Sequence, residues 1–274
     1  MPRAASENAV GDIGYLLTQY GTDKEWLRAG GKPVLFVYHR ALDELSLADW
    51  REVIVQVGHD KRDGVVLVAD SLDRGFVSTF DGASTYNITG QTQHKSPPEI
   101  RAWAHATYPK TVATAGSGKI ATVTIIPGYD DRNLWRLPPR PVTDRWGGET
   151  YRALWQKAIA AAPDYILITS WNEWHEGSEL EASVEYGSRI LTLRQRSRES
   201  SSPDRGDPST ARACRRRGST TLCWIRTASL WLSASTSFVR CSAQGMALSA
   251  SITGQGGLPI ASALSFSAIS RSAR

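Results

Sequence analysis

The sequence predicts an α/β fold built on a parallel sheet, open or closed as a barrel, and three observations predict it. Helix-like and strand-like segments take turns between residues 10 and 194. The strand-like runs are apolar on both faces, as strands covered by helices on each side are. Residues capable of chemistry gather just past the ends of those runs, where the loops of such folds line an open face.

The elements read in order as follows. "AVGDIGYLLTQYG" places apolar residues at helical spacing and stops at Gly21. Gly31-Lys32-Pro33 leads into "VLFVY" (34–38), a first buried strand. "SLADWREVIVQVG" predicts a helix capped by Ser46. "GVVLVAD" (64–70) predicts a second strand and "GFVSTFDG" (75–82) a third, closed by a turn dipeptide. "SPPEIRAWAHATYPK" opens a helix with proline in its first turn. "IATVTIIPGYDD" (120–131) predicts a fourth strand, then a Pro-Gly turn. "GETYRALWQKAIAAAP" (148–163) predicts a helix, and "DYILITS" (164–170) a fifth strand. No internal repeat is visible. "TAGSGK" has neither the spacing nor the strand-to-helix setting of a phosphate loop.

At 274 residues, the chain is long enough to bury a substantial core in one domain or two. Its net charge of +5 belongs to the C-terminal stretch alone. From Gln195 onward there are eleven Arg, no Lys and three acids, whereas residues 1–194 carry a balance of −3. A nucleic-acid-binding face on the main domain is therefore not expected. Cys214, Cys223 and Cys241 all lie in that stretch, at spacings matching no zinc pattern, so neither a disulfide framework nor a cysteine metal site is expected before it. No apolar run approaches the roughly 18 residues that a membrane-spanning helix needs.

From about residue 195 the composition turns to Ser, Arg, Ala and Thr, and neither helical nor strand periodicity survives. Trp224, Trp231 and Phe238 are scattered without a pattern that could bury them. Two units are expected: residues 1–194, an incomplete barrel domain, and residues 195–274, an irregular or disordered tail read as out-of-frame translation of the DNA that should finish the domain.

The densest chemistry is "TSWNEWHEGSELEAS" (169–183), directly behind the fifth strand. Glu173 and Glu176 are three positions apart. On a straight strand they would be about 10 Å apart on opposite faces; on a turn they would share a face at roughly 5–6 Å. Gly177 favours the turn. Carboxyls at about 5–5.5 Å suit retaining glycoside hydrolysis, and about 6.5–9.5 Å suits inversion. Close carboxylates also separate in pKa, so one can donate a proton while the other stays ionised. An exposed acidic turn would look similar, but Trp171, Asn172, Trp174 and His175 interleaved with the acids favour a sugar pocket. Tyr38, Tyr86 and Tyr129 lie at other strand ends. Asp130 and Asp131 form a second acidic pair, open to a cation.

"ITSWNEWHEGSELEASVEYG" closely resembles the signature of glycoside hydrolase family 99, the endo-α-1,2-mannosidase and endo-mannanase family. "GKPVLFVY", "FDGASTY" and "PGYDDR" resemble its other landmarks in the expected order, so the resemblance covers about residues 12–194. It implies a (β/α)₈ TIM barrel, here only its middle to late strands. It also implies cleavage within α-mannosides with retained configuration, no cofactor and no catalytic metal. Carried onto this chain, it makes Glu173 the base that deprotonates the mannose 2-hydroxyl, which forms a 1,2-anhydro sugar. Glu176 becomes the acid at the leaving oxygen and then the base for water. Asn172, His175, Trp174, Tyr86, Tyr129 and Tyr38 become substrate-binding positions.

The implied partner is an α-mannose-containing glycan or polysaccharide, with neither nucleic acid nor a membrane span. The family is commonly secreted, periplasmic or in the secretory pathway. Family members carry about three more βα units ahead of "GKPVLFVY", so the chain is expected to be N-terminally truncated. With its sheet edges unpaired, it is expected to fold poorly and to be inactive. A glycosyltransferase-like barrel domain of polysaccharide assembly and a non-catalytic sugar-binding remnant are the alternatives, and His175 favours the hydrolase over the first.

Overall fold

The computed structural model describes residues 5–58, 64–191, 221–227, 247–252 and 264–271. The chain opens with helix α1 (Ala5–Tyr20), followed by a short hairpin, β1 (Arg28–Ala29) and β2 (Lys32–Val37). Helices α2 (His39–Asp43) and α3 (Leu47–Gln56) come next. Ser46 caps α3 in a reciprocal box with Asp49, which satisfies two backbone donors that a helix start leaves open. Ile13 and Leu16 of α1 and Trp50 and Val53 of α3 are buried in the same core as Leu35 of β2 and Leu67 of the next strand, β3 (Val66–Ala69).

The expected third strand, 75–82, is a correction. Residues Arg74–Thr79 form helix α4, and only Gly82–Ala83 extend as β4. In so short a run strand and helix periods are hard to separate. Asp73 decides the matter by accepting from the Gly75 N–H at 2.7 Å, and Phe76 and Phe80, four apart, pack with tilted rings 6.1 Å between centroids. Strand β4 is short where it is squeezed: a Cβ on Gly82 would stand 2.7 Å from the Ile120 carbonyl oxygen.

After α5 (Thr89–Thr92), the long helix α6 (Pro97–Ala115) starts from a Ser96–Glu99 capping box. It runs on through Pro109, farther than the sequence suggested. An interior proline costs about 3 kcal/mol. Burial of Ile100, Ala104, Tyr108, Thr111 and Ala115 along one face, with the Tyr108 hydroxyl donating to the Thr124 carbonyl at 2.7 Å, holds both halves down. Strand β5 (Ile120–Ile125), the hairpin β6 (Tyr129–Asp130) with β7 (Val142–Thr143), helix α7 (Glu149–Ala161) and β8 (Tyr165–Thr169) complete the main part.

Strands β2, β3, β4, β5 and β8 pair in that order, all parallel, as a half-barrel with helices on its outside. Three segments of the C-terminal stretch are extended: β9 (Thr221–Thr227), β10 (Ala247–Ile252) and β11 (Leu264–Arg271). The expected unpaired edges are corrected here. Strand β9 pairs parallel with β8, β10 pairs parallel with β2, and β11 joins them antiparallel, so strand pairing is continuous around a nine-stranded mixed sheet. Backbone N–H and C=O groups on an open edge recruit any extended segment, because strand pairing requires no side-chain pattern. The rest of the expected tail lies outside the described residues.

Candidate active site

Strand β8 delivers the acidic segment to the mouth of the sheet. It ends in a cis peptide between Thr169 and Ser170. The chain then closes on itself: Ser170 N–H donates to the Ser178 carbonyl at 2.9 Å, and the two hydroxyls meet at 2.9 Å. Trp174–Glu176 form one turn of 3₁₀ helix capped by Glu173, with the Glu176 N–H donating to the Glu173 carbonyl at 3.2 Å. The Glu173 N–H is itself held by the Ser170 hydroxyl at 3.0 Å. The two glutamates therefore stand one tight turn apart, the arrangement that separates a shared site from an extended strand. Gly177 ends the turn at φ +56°, and a Cβ there would stand 3.1 Å from the Asp130 backbone nitrogen. Both the left-handed backbone and the contact with β6 call for glycine.

Two arginines hold the turn from different sides. On one side the Arg136 guanidinium donates to Glu176 Oε1 at 3.0 Å and to Asp131 Oδ2 at 2.8 Å. Asp131 is fully buried and also accepts from Arg140 and, at 3.0 Å, from the Tyr129 hydroxyl. Burial alone would raise the Asp131 pKa; the hydrogen bonds from Arg140, Tyr129 and Arg136 outweigh it and hold the carboxyl below its usual range. Asp130 is bound by Arg132 at 2.7 Å. Guanidinium groups thus occupy the acidic pair that the sequence left open to a cation. On the other side Arg145, itself buried, donates to the Gly177 carbonyl at 2.9 Å and to Glu179 Oε2 at 2.7 Å.

Three tyrosines converge on the same mouth. Tyr38 and Tyr86 pack edge to face with ring centroids 5.3 Å apart. Burial raises the Tyr38 pKa, and the charges of Asp70 and Glu176 add to it against Arg40 and Arg136. Burial also pushes the Tyr129 phenol well above its usual value, and the charges of Glu176 and Asp131 push it further. Both phenols are therefore neutral O–H groups at physiological pH, close enough to Glu176 to feel its charge. Thr169 donates its hydroxyl to the Tyr86 carbonyl at 2.7 Å, tying Tyr86 to the end of β8. Asn172 adds a buried Oδ1 that has no hydrogen-bond partner among the described residues.

The remaining expected positions are looser. Trp174 is 48% exposed, and His175 is exposed with no side-chain hydrogen bond among the described residues. Trp171 instead packs against the core around α6 and α7.

The family model of glycosyl hydrolase family 99 matches residues 2–193. The chain belongs to glycosyl hydrolase family 99. A glycoprotein endo-alpha-1,2-mannosidase-like protein from Danio rerio is 28% identical over 191 residues, which are 63% of this chain and 40% of that protein. A glycoprotein endo-alpha-1,2-mannosidase from Mus musculus is 21% identical over 196 residues, 65% of this chain and again 40% of the relative. The family 99 chain thus matches about two-fifths of the length of these relatives. Among solved structures, the GH99 endo-alpha-mannosidase from Bacteroides thetaiotaomicron superposes with a TM-score of 0.57 at 23% identity, covering 73% of this chain and 64% of the other. That likeness supports the barrel fold. No helix among the described residues is long and apolar enough to cross a membrane.

Sequence reasoning missed several residues that shape this family 99 site. Arg136 is one, although Arg132, Arg136 and Arg140 recur every fourth position behind two aspartates, a signal that was there to read. Asp70 is another. At the end of β3 it accepts from the Tyr86 N–H at 2.6 Å, the His39 N–H at 3.2 Å and the His39 ring at 3.2 Å, linking two loops of the mouth. The hydrogen bond to Asp70 raises the His39 pKa, against a smaller lowering by burial. A folded pKa above the unfolded value of about 6.5 means stability that is complete below that pH and is lost as pH rises through the folded value. His39 is half exposed, so the effect is set at under about 1 kcal/mol. In urea titrations, the stability difference between wild type and His39→Gln is expected to shrink between about pH 5.5 and about pH 8.5. A difference that stays flat would contradict the pairing.

Proposed function

We propose that this chain carries the reaction centre of an endo-α-1,2-mannosidase-like hydrolase that retains anomeric configuration. Glu173 takes the proton of the mannose 2-hydroxyl, and that oxygen attacks the anomeric carbon. The bond to the leaving sugar breaks as Glu176 protonates the departing oxygen, giving a 1,2-anhydro sugar. Glu176, now ionised, takes a proton from water. The hydroxide oxygen opens the three-membered ring at the anomeric carbon, and Glu173 returns the proton to O2. Two inversions at one carbon give net retention.

One observation carries this reading: both glutamates lie on a single 3₁₀ turn at the end of β8, one of them inside a ring of tyrosines and an arginine. Arg136 occupies Oε1 of Glu176, which leaves Oε2 for the leaving oxygen. The neutral phenol of Tyr38 can donate to a sugar oxygen, and the unpartnered Asn172 Oδ1 can accept from a sugar hydroxyl; Tyr129, whose proton goes to Asp131, orders the wall behind them. Tyr38 and Tyr86 offer aromatic faces. His175 and Trp174, exposed on the same turn, are placed to meet substrate from outside. No metal or cofactor takes part in these steps.

The test is proton NMR of the first product from an α-1,2-linked mannoside. The α-anomer is expected before mutarotation. A β-anomer as first product, or sugar binding without turnover, would overturn the proposal, the latter in favour of a non-catalytic sugar-binding protein.

A further inference from the structure

A cavity lies against β6, whose Tyr129 and Asp130 line it, between the start of α7 and the segment after residue 183. Its volume of about 570 Å³ is within the range of small-ligand pockets, roughly 300–1,000 Å³. Trp146 and Tyr186 line it, 51% and 38% exposed, together with Asp144, Glu185, Arg145 and Arg189. Trp146 is held at φ +46°, a backbone conformation that bulky side chains rarely adopt and that costs about 1–3 kcal/mol. The two following residues, Gly147 and Gly148, continue in the left-handed region at φ +62° and φ +100° and form a lip without side chains. Tyr186 lies over the Arg145 guanidinium at 3.6 Å, which fixes its ring against one wall.

The charges at the pocket sort into occupied and free. Arg145 is paired with Glu179, and Asp130 with Arg132. The side chains of Asp144, Glu185 and Arg189 make no hydrogen bonds among the described residues, and Arg145 Nε is buried without a partner among them. Two carboxylates and one guanidinium without hydrogen-bond partners among the described residues, beside exposed aromatic faces, suit a neutral polyhydroxyl ligand. The two carboxylates oppose an anion.

We propose that this cavity is a second, non-catalytic carbohydrate site that holds a remote segment of the glycan attacked at Glu173 and Glu176. That choice of ligand rests on the function proposed above. Trp146 supplies the stacking face, and Asp144, Glu185 and Arg189 bind hydroxyls at the rim.

The test is calorimetric titration of the full chain with soluble α-mannan. Trp146→Ala is expected to weaken binding about tenfold, as loss of a central aromatic anchor does. Glu185→Gln and Arg189→Gln, at exposed positions where folding is not at stake, are each expected to weaken it about threefold. Glu173→Gln is expected to leave mannan binding measurable while abolishing turnover. Mannan binding unchanged in folded Trp146→Ala, or in both rim variants should Trp146→Ala fail to fold, overturns the second site. Unimpaired turnover in Glu173→Gln would instead overturn the catalytic reading and leave the Trp146 result to stand alone.

Discussion

Glu173→Gln and Glu176→Gln are each expected to lower turnover of an α-1,2-linked mannoside by about 10²–10⁴-fold, the usual contribution of a positioned acid or base. The two losses should differ in kind. Glu176 is assigned to protonating the leaving oxygen, so Glu176→Gln should recover much of its first step on a mannoside whose leaving group is already a weak base. Glu173 is assigned to the 2-hydroxyl, so no leaving group should rescue Glu173→Gln. Comparing kcat/KM on a natural linkage and on an activated aryl mannoside reads this directly. Equal rescue of both variants, or of neither, would remove the division of labour. Glutamine keeps the shape of each side chain and the backbone turn through Ser170 and Gly177 stays in place, so a loss reports chemistry rather than collapse.

Asp131→Ala is expected to cost about 3 kcal/mol of stability. The carboxylate is fully buried and receives hydrogen bonds from Arg136, Arg140 and the Tyr129 hydroxyl. Breaking a buried pair by removing one partner costs about 3–5 kcal/mol when the other charge stays buried. Here Arg136 and Arg140 are 44% and 23% exposed, and water takes over part of what they lose. The figure therefore sits at the lower end. Since Arg136 would lose its carboxylate anchor and keep only Glu176 and the Tyr129 hydroxyl, activity should fall together with stability. Chemical denaturation of wild type and variant measures the first, and a change within about 0.5 kcal/mol would contradict it. The pH signature follows from the sign of the shift. A carboxyl held below its unfolded pKa contributes stability that is present above about pH 4 and is lost as pH falls through the folded value. The stability gap between wild type and Asp131→Ala should therefore narrow on acidification below about pH 4.

Much of this could be read from the chain before any coordinates. The helices α1, α3, α6 and α7 and the strands β2, β3, β5 and β8 declare themselves through caps, proline placement and continuous apolar runs. Such signals are local and survive without tertiary context. Residues 75–82 failed because Phe76 and Phe80, four apart in an eight-residue run, satisfy two periods, and only the Asp73 cap and the squeeze at Gly82 choose between them. The edges of the half-barrel failed for another reason. Strand pairing in β9, β10 and β11 is a matter of backbone groups, which composition does not encode.

By itself, the sequence determined that two glutamates three positions apart follow a buried strand, with glycine behind them and aromatic residues around them, and so determined the class of chemistry to look for. Only the tertiary structure decided which groups meet them. Arg136 reaches Glu176 from 40 residues away and is itself held by Asp131, while Arg145 binds the Gly177 carbonyl behind the turn and Asp70 fixes Tyr86 at the same mouth. A charge finds its partner through space, where the fold brings distant segments within hydrogen-bonding reach, and no local pattern announces a contact of that kind.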